Sequence, residues 1–335
     1  MNIAINGFGR IGRQALRIIQ ESHPDLNVVL INDLTDGETL AHLFEWDSTY
    51  GHYECGGACF KDGMLATAKG KIRTTAIQEP ANLPHKELKV DIVLECTGAL
   101  TKREKAAAHL KAGAKKVIIS APAKDEVDGT FVIGVNEGTY NPKTMHVISC
   151  ASCTTNCLAP MAKVIDDAFG IVHGFMTTIH SYTNDQRLLD LPHKDWRRAR
   201  SAAENIIPTT TGAAKAVGLV LPHLKGKLDG ISIRVPHPTV SVTDLVCVTA
   251  KGTSVEGLNN AFKKASEGSL KGILGFEERP LVSSDFKGDP RSCIIDAQSS
   301  AVINTTLVKV LGWYDNEWGY SCRLVELGKL VGSKM

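Results

Sequence analysis

Short, uninterrupted apolar runs separated by segments of helical period dominate the first 150 positions. NIAI (2–5), LNVVLIN (26–32), VDIVLE (90–95) and KKVIIS (115–120) read as buried strands. Between them, 9–21 and 102–112 have helical spacing and few breakers. That alternation predicts a parallel sheet with helices on both faces. After Ser149 the pattern changes. A helix is predicted over 152–169, followed by longer, more alternating strands: HGFMTTIHS, DGISIRV, TVSVTDLVCVTA and NTTLVKVLGWY. Strands of that kind make an antiparallel or mixed sheet with one covered face. Residues 182–210 are polar, Arg-rich and without period, and a loop that long is usually functional or reaches another subunit. The tail EWGYSCRLVELGKLVG reads as a closing amphipathic helix.

Composition changes this picture little. The 335 residues suit about two domains. Lys plus Arg (38) barely exceeds Asp plus Glu (36), so no whole-chain case exists for nucleic acid or an anionic membrane. Affinity for phosphates has to come from local placement. The start MNIAINGFGRIGRQ lacks a basic region followed by a long apolar one, so no secretory signal is expected. No segment reaches the ~20 apolar residues of a membrane helix. Nine cysteines at irregular spacing argue against a disulfide scaffold and for a reducing cytoplasm.

Gly7, Gly9 and Gly12 form a GxGxxG turn directly after the first strand and open a helix. Such glycines allow a tight turn and a close approach to a pyrophosphate, which the helix N-terminus favours electrostatically. Asp33 ends the second strand at the position expected of an acid that binds adenosine ribose hydroxyls. An acid there repels a 2′-phosphate, and Leu34-Thr35 offers no cation, so NAD is favoured over NADP. The plainer reading is a strand-to-helix turn with an Asp cap. The fold expected is therefore α/β: a Rossmann-type dinucleotide-binding domain over 1–151, completed by a C-terminal helix over 317–335. An α+β catalytic domain with a mixed or antiparallel sheet spans 152–316.

SCASCTTNC puts Cys150, Cys153 and Cys157 within nine residues. As metal ligands they lack a nearby fourth partner, and the intervening small polar residues suit a helix start better than a chelating knuckle; no metal is expected. As a nucleophile, Cys153 in a first helical turn would feel the positive end of the dipole. A free thiol near pKa ~8.5 also needs a base or cation. His180, at the end of the next strand, is the candidate base, although a single histidine is more often a structural residue.

INGFGRIGR, ASCTTNCLAP, PTTTGAAKAVG (208–218) and WYDNEWGYS (313–321) occur in this order along essentially the whole chain. Together they resemble the phosphorylating glyceraldehyde-3-phosphate dehydrogenases. The resemblance implies that Cys153 attacks the aldehyde as a thiolate and that His180 lowers its pKa and takes the hydroxyl proton. It implies that hydride goes to NAD and that inorganic phosphate cleaves the thioester to 1,3-bisphosphoglycerate. Thr183 and Arg234 would hold the phosphate of glyceraldehyde 3-phosphate. Ser152, Thr154, Arg198, Thr211 and Gly212 would hold the attacking phosphate. Arg10, Ile11, Thr97 and Ser120 would join Gly7, Gly9, Gly12 and Asp33 around the dinucleotide, and Asn316 would fix the nicotinamide carboxamide. A cytoplasmic homotetramer is also implied, with 182–210 reaching a neighbouring cofactor site.

Two departures stand out. Gln78-Glu79-Pro80 lacks the basic adenine neighbour usual in the family, and position 150 is Cys where Asn is usual. Erythrose-4-phosphate dehydrogenase is the nearest alternative, but its relatives tend to lose the TTTG loop that is intact here. A non-enzymatic binding or redox-sensing protein is disfavoured because every catalytic position holds a competent residue.

Overall fold

The computed structural model describes residues 1–53 and 56–335, and the chain divides into two compact units. The first comprises 1–131, 137–151 and 321–335; the second comprises 132–136 and 152–320.

In the first unit a nine-stranded sheet runs in the order Gly129–Thr130, Val147–Ser149, Lys116–Ile119, Ile92–Glu95, Asn2–Asn6, Asn27–Asn32, Gly70–Thr75, Met64–Thr67, Ala58–Lys61. The first seven are parallel, and the last two turn back antiparallel. The apolar runs make the core: Ile5, Leu30, Ile31, Ile92, Val93, Val117 and Ile118 are fully buried. Register then lines up polar strand ends. Asn6 stands opposite Asn32 on one side and Glu95 on the other. Three polar side chains thus share the carboxyl edge of the sheet, where open α/β sheets bind ligands.

The second unit is a seven-stranded mixed sheet in the order Ile207–Thr210, Leu228–Val235, Ile171–Ser181, Ser241–Thr249, Leu307–Tyr314, Cys293–Ile303, Leu274–Glu277. Strict alternation in Ser241–Thr249 buries every second side chain. Helices Cys153–Phe169, Ala213–Val220 and Val255–Glu267 pack together, the first of them against the sheet. Phe175 and Ile231 remain exposed.

Several expectations need correction. The helix expected over 102–112 is two single turns, Arg103–Ala106 and Ala108–Lys111. The unpatterned stretch 182–210 ends in a strand, Ile207–Thr210, which contains Pro208 and lies at the sheet edge, where a missing N–H is tolerated. The closing helix, Trp318–Ser333, is not amphipathic: Tyr320 through Val325 are buried consecutively. Helices Gly37–Glu45 and Val255–Glu267, the meander 58–75 and the long strand Cys293–Ile303 were not anticipated from the sequence.

Candidate active site

In the first unit the GxGxxG glycines have distinct steric reasons. Gly7 sits at φ 90°, and a Cβ there would lie 2.6 Å from the Thr97 nitrogen. A Cβ on Gly12 would lie 2.2 Å from the Gly7 carbonyl oxygen. Gly9 has open space where its Cβ would be. It is also the N-cap of helix Arg10–Ser22, so no cap side chain occupies that helix end. A dinucleotide pyrophosphate fits such a place because first-turn amides and the dipole both face it. Gly7, Gly9, Asn32, Asp33, Leu34 and Thr97 are among the residues lining a cleft of about 480 Å³. Asp33 is fixed at its rim, accepting Phe8 N at 2.8 Å and Thr35 N at 3.0 Å. Gln78 also lines the cleft, and no basic side chain does. Arg10 extends its guanidinium to buried Asp47, 2.5 Å away. Ile11 is half-buried in the first turn. The Ser120 hydroxyl is bonded to Cys96.

Beneath the cleft lies a buried polar chain that sequence reasoning missed. Glu95, 1% exposed, accepts from Asn6 Nδ2 at 2.6 Å, Thr97 N at 2.9 Å and the Thr97 hydroxyl. His109 Nε2 is 3.1 Å from Glu95, and His85 Nε2 is 3.0 Å from His109 Nδ1. Asn32 Nδ2 donates to Asn6 Oδ1 at 2.8 Å. The proton of the Thr97 hydroxyl is thus engaged by Glu95, while its oxygen accepts Ala99 N at 3.1 Å.

In the second unit Ser152 caps helix Cys153–Phe169, its Oγ accepting Thr155 N at 3.0 Å. That places the Cys153 thiol in the first turn, as expected. The parallel register then sets His180 directly beside Arg234. Cys153 Sγ is 3.4 Å from His180 Nε2. His180 Nδ1 lies 2.7 Å from the Ser181 carbonyl and 3.1 Å from Arg234 Nη1, which donates to the same carbonyl at 3.0 Å. With Nδ1 protonated, the lone pair of Nε2 faces the sulfur. Burial pushes the thiol up to about 11 against the pull of Arg234, and burial with Arg234 pushes the imidazole down to about 3.

The strand end that carries His180 is held from behind. Ser181 N donates to Ser241 Oγ at 3.1 Å, and that hydroxyl donates to Asn316 Oδ1 at 3.0 Å. Ser181 Oγ bonds the carbonyl of Val240, a β-branched residue at φ 68°. Strain of this kind costs about 1–3 kcal/mol and is sustained only where the surroundings over-determine the backbone.

The anion-binding residues also converge. Arg234 Nη1 donates to Thr183 Oγ1 at 3.1 Å. Arg198 donates to Asp185 at 2.5 Å, Thr209 Oγ1 at 2.9 Å and the Thr210 carbonyl at 3.3 Å, which brings it to the TTTG turn. Thr211 Oγ1 accepts Ala213 N at 3.2 Å, and Gly212 is the N-cap of helix Ala213–Val220. The plain capping role of this turn is therefore present. The Thr154 hydroxyl is buried and bonded to Tyr314 Oη at 2.9 Å, which also bonds Thr178 at 2.8 Å. Asp185 and Tyr314 were missed as individual residues, the first inside the unpatterned stretch 182–210 and the second inside WYDNEWGYS. Against the upward push of burial, the Thr183 hydroxyl and the two arginine charges hold the Asp185 carboxyl below its ordinary value.

The other two clustered cysteines face inward. Cys157 Sγ points at the Gly312 carbonyl, 3.6 Å away, and Cys150 is 1% exposed. Among the described residues no three His, Cys, Asp or Glu side chains are placed to hold a metal ion. No described helix is long and apolar enough to cross a membrane.

A dinucleotide-binding sheet carried in one chain with a thiol that faces an imidazole defines an NAD-dependent aldehyde dehydrogenase acting through a thioester. The comparisons with known proteins narrow this further. "Glyceraldehyde 3-phosphate dehydrogenase, NAD binding domain" matches residues 1–103, and the "C-terminal domain" of the same family matches 152–316. The chain belongs to the glyceraldehyde 3-phosphate dehydrogenase family. It is 58% identical over 334 residues to the glyceraldehyde-3-phosphate dehydrogenase of Geobacillus stearothermophilus, covering 100% of this chain and 99% of the relative. It is 55% identical over 335 residues to glyceraldehyde-3-phosphate dehydrogenase 1 of Bacillus subtilis, with the same coverage of each.

Proposed function

We propose that this chain oxidises D-glyceraldehyde 3-phosphate with NAD and inorganic phosphate to 1,3-bisphosphoglycerate, with Cys153 as nucleophile and His180 as base. The observation that carries this reading is the 3.4 Å contact between Cys153 Sγ and His180 Nε2 at a helix N-terminus. His180 accepts the thiol proton, the sulfur adds to the aldehyde carbon, and His180 returns the proton to the new alkoxide, giving a thiohemiacetal on Cys153 and a neutral imidazole. The Cys153 backbone N–H, at the helix start, is aimed as an oxyanion donor. NAD held by the first unit would supply the hydride acceptor for that carbon. His180 takes the hydroxyl proton as the hydride leaves, and a thioester results. Phosphate oxygen then attacks the acyl carbon, and the Cys153 thiolate leaves. Splitting one hard transfer into two is the gain of covalent catalysis, and a positioned base adds typically ~10²–10⁴ in rate.

The unit that contains residues 1–131, 137–151 and 321–335 binds the cofactor. Gly7, Gly9, Arg10, Ile11 and Gly12 serve through the glycine turn and helix backbone, Asp33 through its carboxylate, and Thr97 and Ser120 from neighbouring strand ends. Asn316, anchored by Ser241, orients the carboxamide. Thr183 and Arg234 take the substrate phosphate. The Ser152 hydroxyl, the Thr154 backbone, Thr211, Gly212 and Arg198 take the attacking one. Self-association into a homotetramer accords with the exposed apolar side chains of the long loop, where Leu188 is 73% and Trp196 87% exposed. The site of action is the cytoplasm. The test follows NAD reduction at 340 nm with glyceraldehyde 3-phosphate and with erythrose 4-phosphate, each with and without inorganic phosphate. Preference for the three-carbon sugar and dependence on phosphate are expected. Phosphate-independent turnover would overturn the reading.

A further inference from the structure

Asp185 has no task in the reaction as proposed, yet it connects the two arginines assigned to different phosphates. Its Oδ1 accepts the Thr183 hydroxyl, and its Oδ2 accepts Arg198 Nη1 at 2.5 Å. Thr183 Oγ1 in turn accepts Arg234 Nη1 at 3.1 Å. A chain of three bonds therefore runs from Arg234 through Thr183 and Asp185 to Arg198.

A hydroxyl has one proton to donate. While Thr183 gives it to Asp185, it has none for a phosphoryl oxygen. The Arg198 Nη1 that reaches Asp185 is likewise engaged with a carboxylate. An incoming phosphate has to take both donors from a group that stays negative, and like charges at such distances repel. We infer that Asp185 is a resident anion of the two phosphate sites. It occupies the Thr183 and Arg198 donors in the absence of phosphate and competes with substrate phosphate and inorganic phosphate for them. Both ligands are thereby held loosely enough to turn over.

A merely structural role for Asp185 is poorly supported. Arg198 has other anchors in Thr209 and the Thr210 carbonyl. The turn itself is closed by Gln186 N to the Thr183 carbonyl at 2.9 Å and by Thr183 N to Gln186 Oε1 at 3.3 Å. The Asp185 side chain is 42% exposed, so its replacement opens no buried hole.

The inference rests on the assignment of Thr183, Arg198 and Arg234 to phosphates, and the experiment separates the two. Asp185→Asn and Asp185→Ala are assayed as full-length holoenzyme for KM of inorganic phosphate, glyceraldehyde 3-phosphate and NAD. Calorimetric titration with inorganic phosphate accompanies the kinetics. Removing a partly exposed competing charge should lower both phosphate-dependent constants by about two- to tenfold. The KM for NAD, and kcat/KM with unphosphorylated glyceraldehyde, should stay near wild type. A structural role would instead lower activity on every substrate. If the phosphate KM is unchanged or rises in the folded variants, competition by Asp185 is overturned; Ala decides should Asn fail to fold. Arg198→Gln and Arg234→Gln test the underlying assignment. Should both leave the phosphate constants unchanged, the sites themselves are misplaced, and the inference falls with them.

Discussion

Replacing His180 by Asn removes the ring nitrogen that lies 3.4 Å from Cys153 Sγ. Burial disfavours the charged form of each group taken singly. Moving the proton from sulfur to Nε2 creates a pair whose mutual attraction offsets part of that cost. Two unit charges 3.4 Å apart attract by about 5 kcal/mol at an effective dielectric constant of ~20. At about 1.36 kcal/mol per pH unit, that is worth up to about three and a half units on the thiol midpoint. The helix N-terminus adds about 0.3–1 kcal/mol for the thiolate. Arg234 helps the thiolate and opposes the imidazolium, so its net effect on the pair is small. In His180→Asn only the helix and Arg234 remain to favour the anion. Alkylation by iodoacetamide, followed across pH, reports the thiolate fraction, while a circular-dichroism melt checks folding. The midpoint should rise by at least about one pH unit, making alkylation at neutral pH about tenfold slower or more. Identical profiles in the two proteins would refute the pairing.

Two further outcomes follow from the first unit. Asp33 is fixed at the cleft rim with exposed Leu34 beside it, so kcat/KM with NAD should exceed that with NADP by about tenfold or more; equal turnover contradicts this. His85 is held at about 4 by burial and His109, against an ordinary 6.5, so the unfolded chain binds its proton more readily. Its contribution is fully present above about 6.5 and lost as pH falls through about 4, spanning about 3 kcal/mol. Urea unfolding at several pH values should therefore show a flatter acid slope in His85→Phe than in wild type, and an unchanged slope would count against this role.

The strands of the dinucleotide sheet were legible because each is an unbroken apolar run, and burial on both faces demands such runs. The glycine turn was legible because only glycine fits where a Cβ would strike Thr97 or the Gly7 carbonyl. Cys153 was legible because Ser152 is a side-chain N-cap, a local signal that places the next residue in a first turn. By contrast, helix Val255–Glu267 was overlooked although Val255, Leu258 and Phe262 follow the Ser254 cap at helical spacing. The meander 58–75 is only partly buried and gave no clear alternation, and its conformation depends on neighbours supplied by distant parts of the chain. The closing helix misled for the opposite reason, since near-complete burial erases the polar face by which an amphipathic helix is recognised.

Sequence alone therefore determined which residue types stand at strand ends, helix starts and turns, because those choices are governed by bonds and sterics within a few positions. What the tertiary structure decided is pairing. His180 meets Arg234 through strand register across 54 positions, and Thr154 turns inward because Tyr314 waits 160 positions away. Asp185 stands between two arginines only after the long loop has folded back on the TTTG turn. Contacts of that range are set by sheet register and by the packing of one face on another, and a local pattern of hydrophobic and polar positions carries no record of either.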